Sequence, residues 1–147
     1  MIAVQDTTEI NFPGRNRRRK GLGPAGDGVS KGFFVHPVIA VDAESEAVLG
    51  VVGAEIWTRS EERTPEHRGR AFEDKESVRW LDGPTIAGTR LAEAPEVISV
   101  SDRESDIYPF FARKSENVDL IIRAAQDRAL SNGSSLFQAP ADWQRSA

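Results

Sequence analysis

Cysteine is absent from this 147-residue chain. That excludes a disulfide framework, a thiolate metal site and a thiol nucleophile. Histidine is scarce, with only His36 and His67, too few for a His-rich zinc centre. Long apolar runs are missing too. The longest mostly apolar stretch, Phe33 to Val41, is nine residues and is interrupted by His36 and Pro37, whereas a membrane-spanning helix needs about 20. No basic segment followed by an apolar one opens the chain, so no signal peptide is expected. No tandem repeat, Ser-His-Asp set, phosphate-binding loop or dinucleotide fingerprint is present. What remains is 39% hydrophobic and 29% charged residues, the balance of a globular domain. Nineteen Lys and Arg against 23 Asp and Glu give a net charge of −4. The sum speaks against a dedicated nucleic-acid binder, but it hides a cluster. Arg15, Arg17, Arg18, Arg19 and Lys20 place five cations within six residues of a Gly-rich loop. Such a loop either grips phosphates or serves as a solvated surface, and the distribution of charge matters more than its sum.

Periodicity predicts strand, strand, strand, helix, strand, helix, strand. Residues 1–12 alternate as one strand, and 13–32 form the Gly-rich loop. Residues 33–41 form a second strand that Pro37 assigns to an edge or a bulge. Residues 47–58 form a third, joined to the second by a short turn and so antiparallel to it. Residues 59–74 are a charged loop. Residues 73–94 are helical in composition, with a break expected at Gly83-Pro84. Residues 97–100 form a buried strand, 103–114 a helix, and 118–124 a last strand. A three-strand meander followed by strand–helix crossovers predicts a mixed sheet with helices on its faces. Trp57 and Trp80 are expected to pack, and His36 to be a satisfied core or edge histidine rather than a ligand. His67 carries no assignment, and Trp143 would stack on a base only in a suitable context.

One local echo carries chemistry. Ile2-Ala3-Val4-Gln5-Asp6 and Ile98-Ser99-Val100-Ser101-Asp102 share a shape: three strand residues, a polar residue, then Asp. If the two strands are parallel neighbours, both carboxylates lie at one end of the sheet, where sites form in open α/β folds. Two carboxylates side by side repel unless something neutralises them. A hard divalent cation, Mg²⁺ or Mn²⁺, does so and suits phosphodiester chemistry. The alternative is that each Asp merely ends a strand. Glu104 and Asp106 either extend the acidic site or cap the following helix, and capping is the commoner role. Arg123, amid Leu120-Ile121-Ile122, either faces a site or pairs with an acid.

The same segments, in order, resemble the catalytic core of the DDE transposases of the insertion sequence 4 family, the group that includes the transposon-five transposase. The matching pieces begin with Ile2-Ala3-Val4-Gln5-Asp6-Thr7-Thr8-Glu9, Gly21-Leu22-Gly23-Pro24 and Phe33-Phe34-Val35-His36-Pro37. Leu49-Gly50-Val51, Ile56-Trp57-Thr58-Arg59 and Lys75-Glu76-Ser77 before Trp80 come next. Ser101-Asp102-Arg103-Glu104-Ser105-Asp106-Ile107-Tyr108 and the strand of Val118 to Arg128 complete the set. The resemblance spans roughly residues 1–130. It implies an α/β fold, a ribonuclease H-like mixed five-stranded sheet with flanking helices. It also implies Asp6 and Asp102 as catalytic acids holding two Mg²⁺ (or Mn²⁺) ions, and action as a dimer on transposon-end DNA in the bacterial cytoplasm. A water, then a freed DNA 3′-hydroxyl, would attack a phosphodiester in line. Arg123 and the Arg15 to Lys20 loop would be phosphate contacts.

The chain departs from that family at several places. The family's third ligand is a Glu in a Tyr-Arg-Glu-Lys context. After Asp102 this sequence contains only Glu104 and Glu116. The expectation is therefore a transposase piece truncated before the last catalytic helix. Residues 1–130 would form the partial core. Residues 131–147 would begin the family's insertion region and be poorly ordered. Core exposure and weak activity would follow. Two other readings stay open: a non-enzymatic remnant that binds DNA or the intact transposase, and a stand-alone ribonuclease H-like nuclease using Glu104 or Asp106 as substitute ligands.

Overall fold

The computed structural model describes residues 1–12, 20–26, 30–60 and 76–138. It is a mixed α/β structure built on a seven-stranded sheet with few helices. The central strands run in the order β2-β4-β1-β6-β7. Here β1 is Ile2–Gln5, β2 Thr8–Phe12, β4 Lys31–Val41, β6 Ile98–Ser101 and β7 Asp119–Ile122. The remaining strands, β3 (Gly23–Pro24) and β5 (Val48–Trp57), also pair with β4. Strands β1, β6 and β7 are parallel, and β4 is antiparallel to all of its partners.

Seven strands replace the expected five for two reasons. The two-residue β3 joins from within the predicted loop, and the first predicted strand divides at Asp6-Thr7. Both of its halves keep a single register along β4, with Gln5 opposite Val38 and Thr8 opposite Val35. The division therefore falls opposite Pro37 and His36. Asp6 Oδ1 accepts the Thr7 N–H at 2.7 Å, a local bond that competes with the sheet ladder. Pro37 has no N–H to offer it.

The edge position expected from Pro37 is corrected. Val38 of β4 faces Gln5 of β1 on one side and Gly53 of β5 on the other, so β4 is interior. The register shifts lie just beyond Pro37, between Val38 and Ile39 and between Ala40 and Val41, in the pairing with β5. The extra residues sit on β5, which among the described residues pairs with β4 alone and so can bend along its other edge. The predicted antiparallel hairpin of β4 and β5 is present.

Helix α1 (Arg79–Arg90) follows a short 3-10 turn at Glu76–Val78 and runs unbroken through Gly83-Pro84. The expected break is absent because its cause is neutralised. Proline at 84 removes the N–H that would bond the Trp80 carbonyl. That carbonyl instead accepts the side-chain amide of Gln5 from β1, at 3.3 Å. Gly83 makes the approach possible: a Cβ there would lie 2.0 Å from Gln5 Oε1. Ala87 of α1 closes the core with Ala3, Val38, Val97 and Val118.

The second predicted helix is shorter than 103–114. A 3-10 turn at Arg103–Ser105 is followed by extended Ile107, and α2 (Tyr108–Ala112) begins only there, with Pro109 in its first turn. Among the described residues, no helix is long and apolar enough to cross a membrane. Beyond β7, Ala129 bridges Ser135 in an antiparallel turn. Residues 139–147, including Trp143, lie outside the described residues. So do 13–19, 27–29 and the charged loop at 61–75 with His67.

Candidate functional site

The two aspartates of the echo are brought together. β1 and β6 are parallel neighbours in the register Ile2 with Ile98, Ala3 with Ser99 and Val4 with Val100. Asp6 and Asp102 thus leave the C-terminal ends of adjacent strands at equivalent steps. One strand further, Ser101 is level with Ile122, and the Arg123 N–H donates to the Ser101 carbonyl at 3.2 Å. Arg123 therefore follows β7 instead of lying within it, as the sequence suggested. It is exposed, and among the described residues its side chain makes no ion pair. The sheet end carries a row of acid, acid and base.

Each aspartate uses one oxygen locally. Asp6 Oδ1 accepts the Thr7 N–H, and Asp102 Oδ1 accepts the Glu104 N–H at 2.8 Å, which starts the 3-10 turn. The helix-capping acid is thus Asp102 itself, in place of the expected Glu104 or Asp106. Asp6 is exposed and Asp102 partly so. Their hard oxygens suit Mg²⁺ or Mn²⁺, which is commonly held by one or two carboxylates with waters and substrate phosphates completing the shell. Among the described residues, no three acidic or histidine side chains gather into a cluster that could hold a metal ion. Among the described residues, Asp6 and Asp102 stand at this end of the sheet with no third such side chain clustered beside them.

Behind Asp6 lies a buried polar chain that the sequence did not reveal. His36 Nε2 sits 3.1 Å from Gln5 Oε1, which can only accept, so Nε2 carries the proton. His36 Nδ1 is then the acceptor of the Thr7 hydroxyl at 2.9 Å. Thr7 Oγ1 in turn accepts Arg79 Nε–H at 3.1 Å. The Gln5 amide reaches Ser99 Oγ on β6 at 3.2 Å as well as the Trp80 carbonyl. His36 is thus a satisfied core histidine, with its ring edge-on to Trp80 at 4.6 Å between centroids. Trp80 is buried in the core. Trp57 stacks on Phe34 at 5.4 Å and lies beneath the Arg79 guanidinium. Beside this chain a cleft of about 350 Å³ opens between β5 and α1, with Glu55, Arg79 and Asp82 in its wall.

Behind Asp102 the device is simpler. The buried Ser105 hydroxyl donates to the Asp102 carbonyl at 2.7 Å, so Ser101 Oγ must donate to Ser105 at 2.7 Å. Gln5 also ties β1 to β6 through Ser99, two residues before Ser101.

Asp106 does something else. Its carboxylate is buried and receives the Ala125 and Gln126 N–H groups at 2.6 and 2.8 Å, together with the Arg128 guanidinium. Arg128 also donates to the Asp106 carbonyl at 3.1 Å. These bonds occupy both oxygens, so Asp106 is removed as a substitute metal ligand. It is a clamp on the segment after β7. Glu104 is exposed. Of the basic cluster, Lys20 is exposed, while Arg15, Arg17, Arg18 and Arg19 lie outside the described residues. No family model matches the chain.

The buried groups set a pH dependence. Burial and, next, the Arg79 charge lower the His36 pKa from 6.5 to about 4. The unfolded chain therefore binds a proton below pH 6.5 that the folded chain refuses until about 4. Stability is full above that window and falls as the pH drops through it, by on the order of 2 kcal/mol. Urea unfolding at pH 7.5, 6 and 5 measures the fall, and an equal midpoint at all three contradicts it. A second loss starts lower. Burial raises the Asp106 pKa, but the N–H groups of Ala125 and Gln126 and the Arg128 charge outweigh it and hold the carboxyl below 3.8. Its stabilisation is present above 3.8 and is lost as the pH falls through the lowered value.

Proposed function

We propose that the chain carries two acids of a metal-dependent phosphodiester site, in a ribonuclease H-like core of the DDE transposase kind related to the insertion sequence 4 family. The observation that carries this reading is the placement of Asp6 and Asp102 at matched ends of parallel neighbours β1 and β6. The mixed sheet, with β4 alone reversed among the five principal strands, supports it as well.

In this reading Asp6 and Asp102 hold Mg²⁺ or Mn²⁺. The metal when bound supplies charge stabilisation at the attacking and leaving oxygens. The chain's own contribution is placement. The Arg79–Thr7–His36–Gln5 chain fixes the end of β1, and Ser101 and Ser105 fix the turn after β6. Arg123 stands beside Asp102 as a cation for a DNA phosphate. The partner is DNA, and the family's dimeric action at transposon ends belongs to the same proposal, as does a place on bacterial DNA in the cytoplasm.

Among the described residues this reading has two carboxylate ligands and no third, so the chain alone is expected to bind Mn²⁺ weakly and to cut DNA at most slowly. Titration of Mn²⁺ followed by its electron paramagnetic resonance signal tests the site. Weak binding by the native chain, reduced at least fivefold in both Asp6→Asn and Asp102→Asn, is the expected result. Binding that neither substitution changes would sink the proposal. Fast Mg²⁺-dependent nicking of end-containing duplex, abolished by Asp102→Asn, would overturn the expected weakness.

A further inference from the structure

The cleft of about 350 Å³ between β5 and α1 has neither Asp6 nor Asp102 in its wall. Paired sheet residues share a face. His36 of β4 pairs with Glu55 of β5, and Val38 with Gly53, so these four lie on the face that α1 covers. The helix turns Arg79, Asp82 and Ile86 toward them, at the spacing of one helical face. At Gly53 the helix rests directly on the strand, since a Cβ there would lie 2.6 Å from Ile86 Cγ2. One turn earlier the facing residues are Asp82 and Glu55, both exposed, so neither side chain fills the gap and the space stays open. The floor is apolar, with Val38 and Gly83 buried. His36 adds no charge at neutral pH, because burial holds its pKa at about 4. Arg79 is a cation already engaged: its Nε–H donates to Thr7, and its guanidinium lies over the Trp57 ring at 4.6 Å. Glu55 and Asp82, by contrast, make no ion pair among the described residues.

We propose that this cleft binds a small organic cation with an apolar body, its ammonium held by Glu55 and Asp82 and its body packed on Val38 and Ile86. Ligand cavities run from about 300 to 1,000 Å³, so this one takes a compact ligand such as a ring or short chain carrying one primary amine. Charge selects the class. Two exposed carboxylates at the mouth repel an anion and stabilise an ammonium, more strongly beside an apolar wall than in open water. The apolar floor supplies the rest of the affinity by taking the ligand's hydrocarbon out of water. The site needs no DNA and no metal, and it stands or falls independently of the phosphodiester reading.

Phenethylamine is the probe, with phenethyl alcohol as its neutral counterpart and hydrocinnamate as its anionic one. Amide nuclear magnetic resonance spectra of the full chain, titrated at neutral pH without DNA or metal, test the site. Saturable shifts are expected at Gly53, Glu55, Gly83 and Ile86, with a Kd of about 1 mM for so small a ligand. The alcohol should bind at least fivefold more weakly, and hydrocinnamate more weakly still. Glu55→Gln and Asp82→Asn change exposed side chains, so both should keep a native far-UV circular dichroism spectrum while each weakens the amine at least threefold. No saturable shift up to about 20 mM amine overturns the proposal. Equal binding of the alcohol overturns it too, and leaves a plain apolar pocket. Tighter binding of hydrocinnamate overturns it by assigning the cleft to anions. Shifts confined to Asp6 and Asp102, or amine binding that both substitutions leave unchanged, also overturn it.

Discussion

Asp106→Ala is expected to lower folding stability by about 4 kcal/mol, the cost of breaking a buried ion pair and leaving two backbone N–H groups unpaired. The neighbouring Asp102→Ala is expected to cost about 1 kcal/mol, the usual value of a lost cap. Urea denaturation of both variants gives the comparison directly. The difference follows from burial. Asp102 has one local acceptor bond in a partly exposed turn. Asp106 holds Ala125, Gln126 and Arg128, a segment about twenty residues away, against the turn that follows β6. Equal losses in the two variants would mean that the clamp does not act as described. For the functional proposal the contrast is useful, because neutralising Asp102 is expected to cost far less folding stability than neutralising Asp106.

Gln5→Leu is the second large effect, at about 3 kcal/mol. It strands the Trp80 carbonyl, the His36 Nε2–H and a bond to Ser99 in a dry interior. The cause can be isolated. Pro84→Ala restores a backbone N–H to the Trp80 carbonyl, the bond that Gln5 replaces in the native helix. Gln5→Leu should therefore cost about 1 kcal/mol less in the Pro84→Ala background than in the native one. A four-variant unfolding cycle measures that coupling. Strict additivity would show that the Gln5 amide does not substitute for the missing N–H. Gly83→Ala should be damaging for a related reason, since its Cβ would collide with Gln5 Oε1.

These sites also show what the sequence could and could not reveal. The paired aspartates were legible because strand alternation followed by Asp is a local pattern, and two copies of it can be compared by eye. The β4–β5 hairpin was legible because its turn is short. The unbroken α1 was not, because the group that repairs Pro84 lies on β1, far away in the chain. The interior place of β4 was hidden for the same kind of reason. Pro37 counts against an interior strand, yet it falls opposite a division in the neighbouring strand where no ladder bond is required. Asp106 looked like a helix cap because acids often are. Its partners, Ala125 to Arg128, carry no signal that points back to it. Gln5, Thr7 and Arg79 are ordinary residues in ordinary places until the sheet brings them to His36.

The central position of β1 has a consequence for how the chain folds. Its two neighbours are β4 and β6, and the β6 pairing joins Ile2 to Ile98. β4 and β5 can zip together as a local hairpin while the chain is being made. The β1–β6 contact must wait until Ile98 has been added, on the order of 5–20 s after Ile2 at ordinary translation rates. Until then one edge of β1 has no partner, and Asp6 has no Asp102 beside it. Closing the sheet and assembling the acidic pair are thus one late event, and a lesion that slows either slows both.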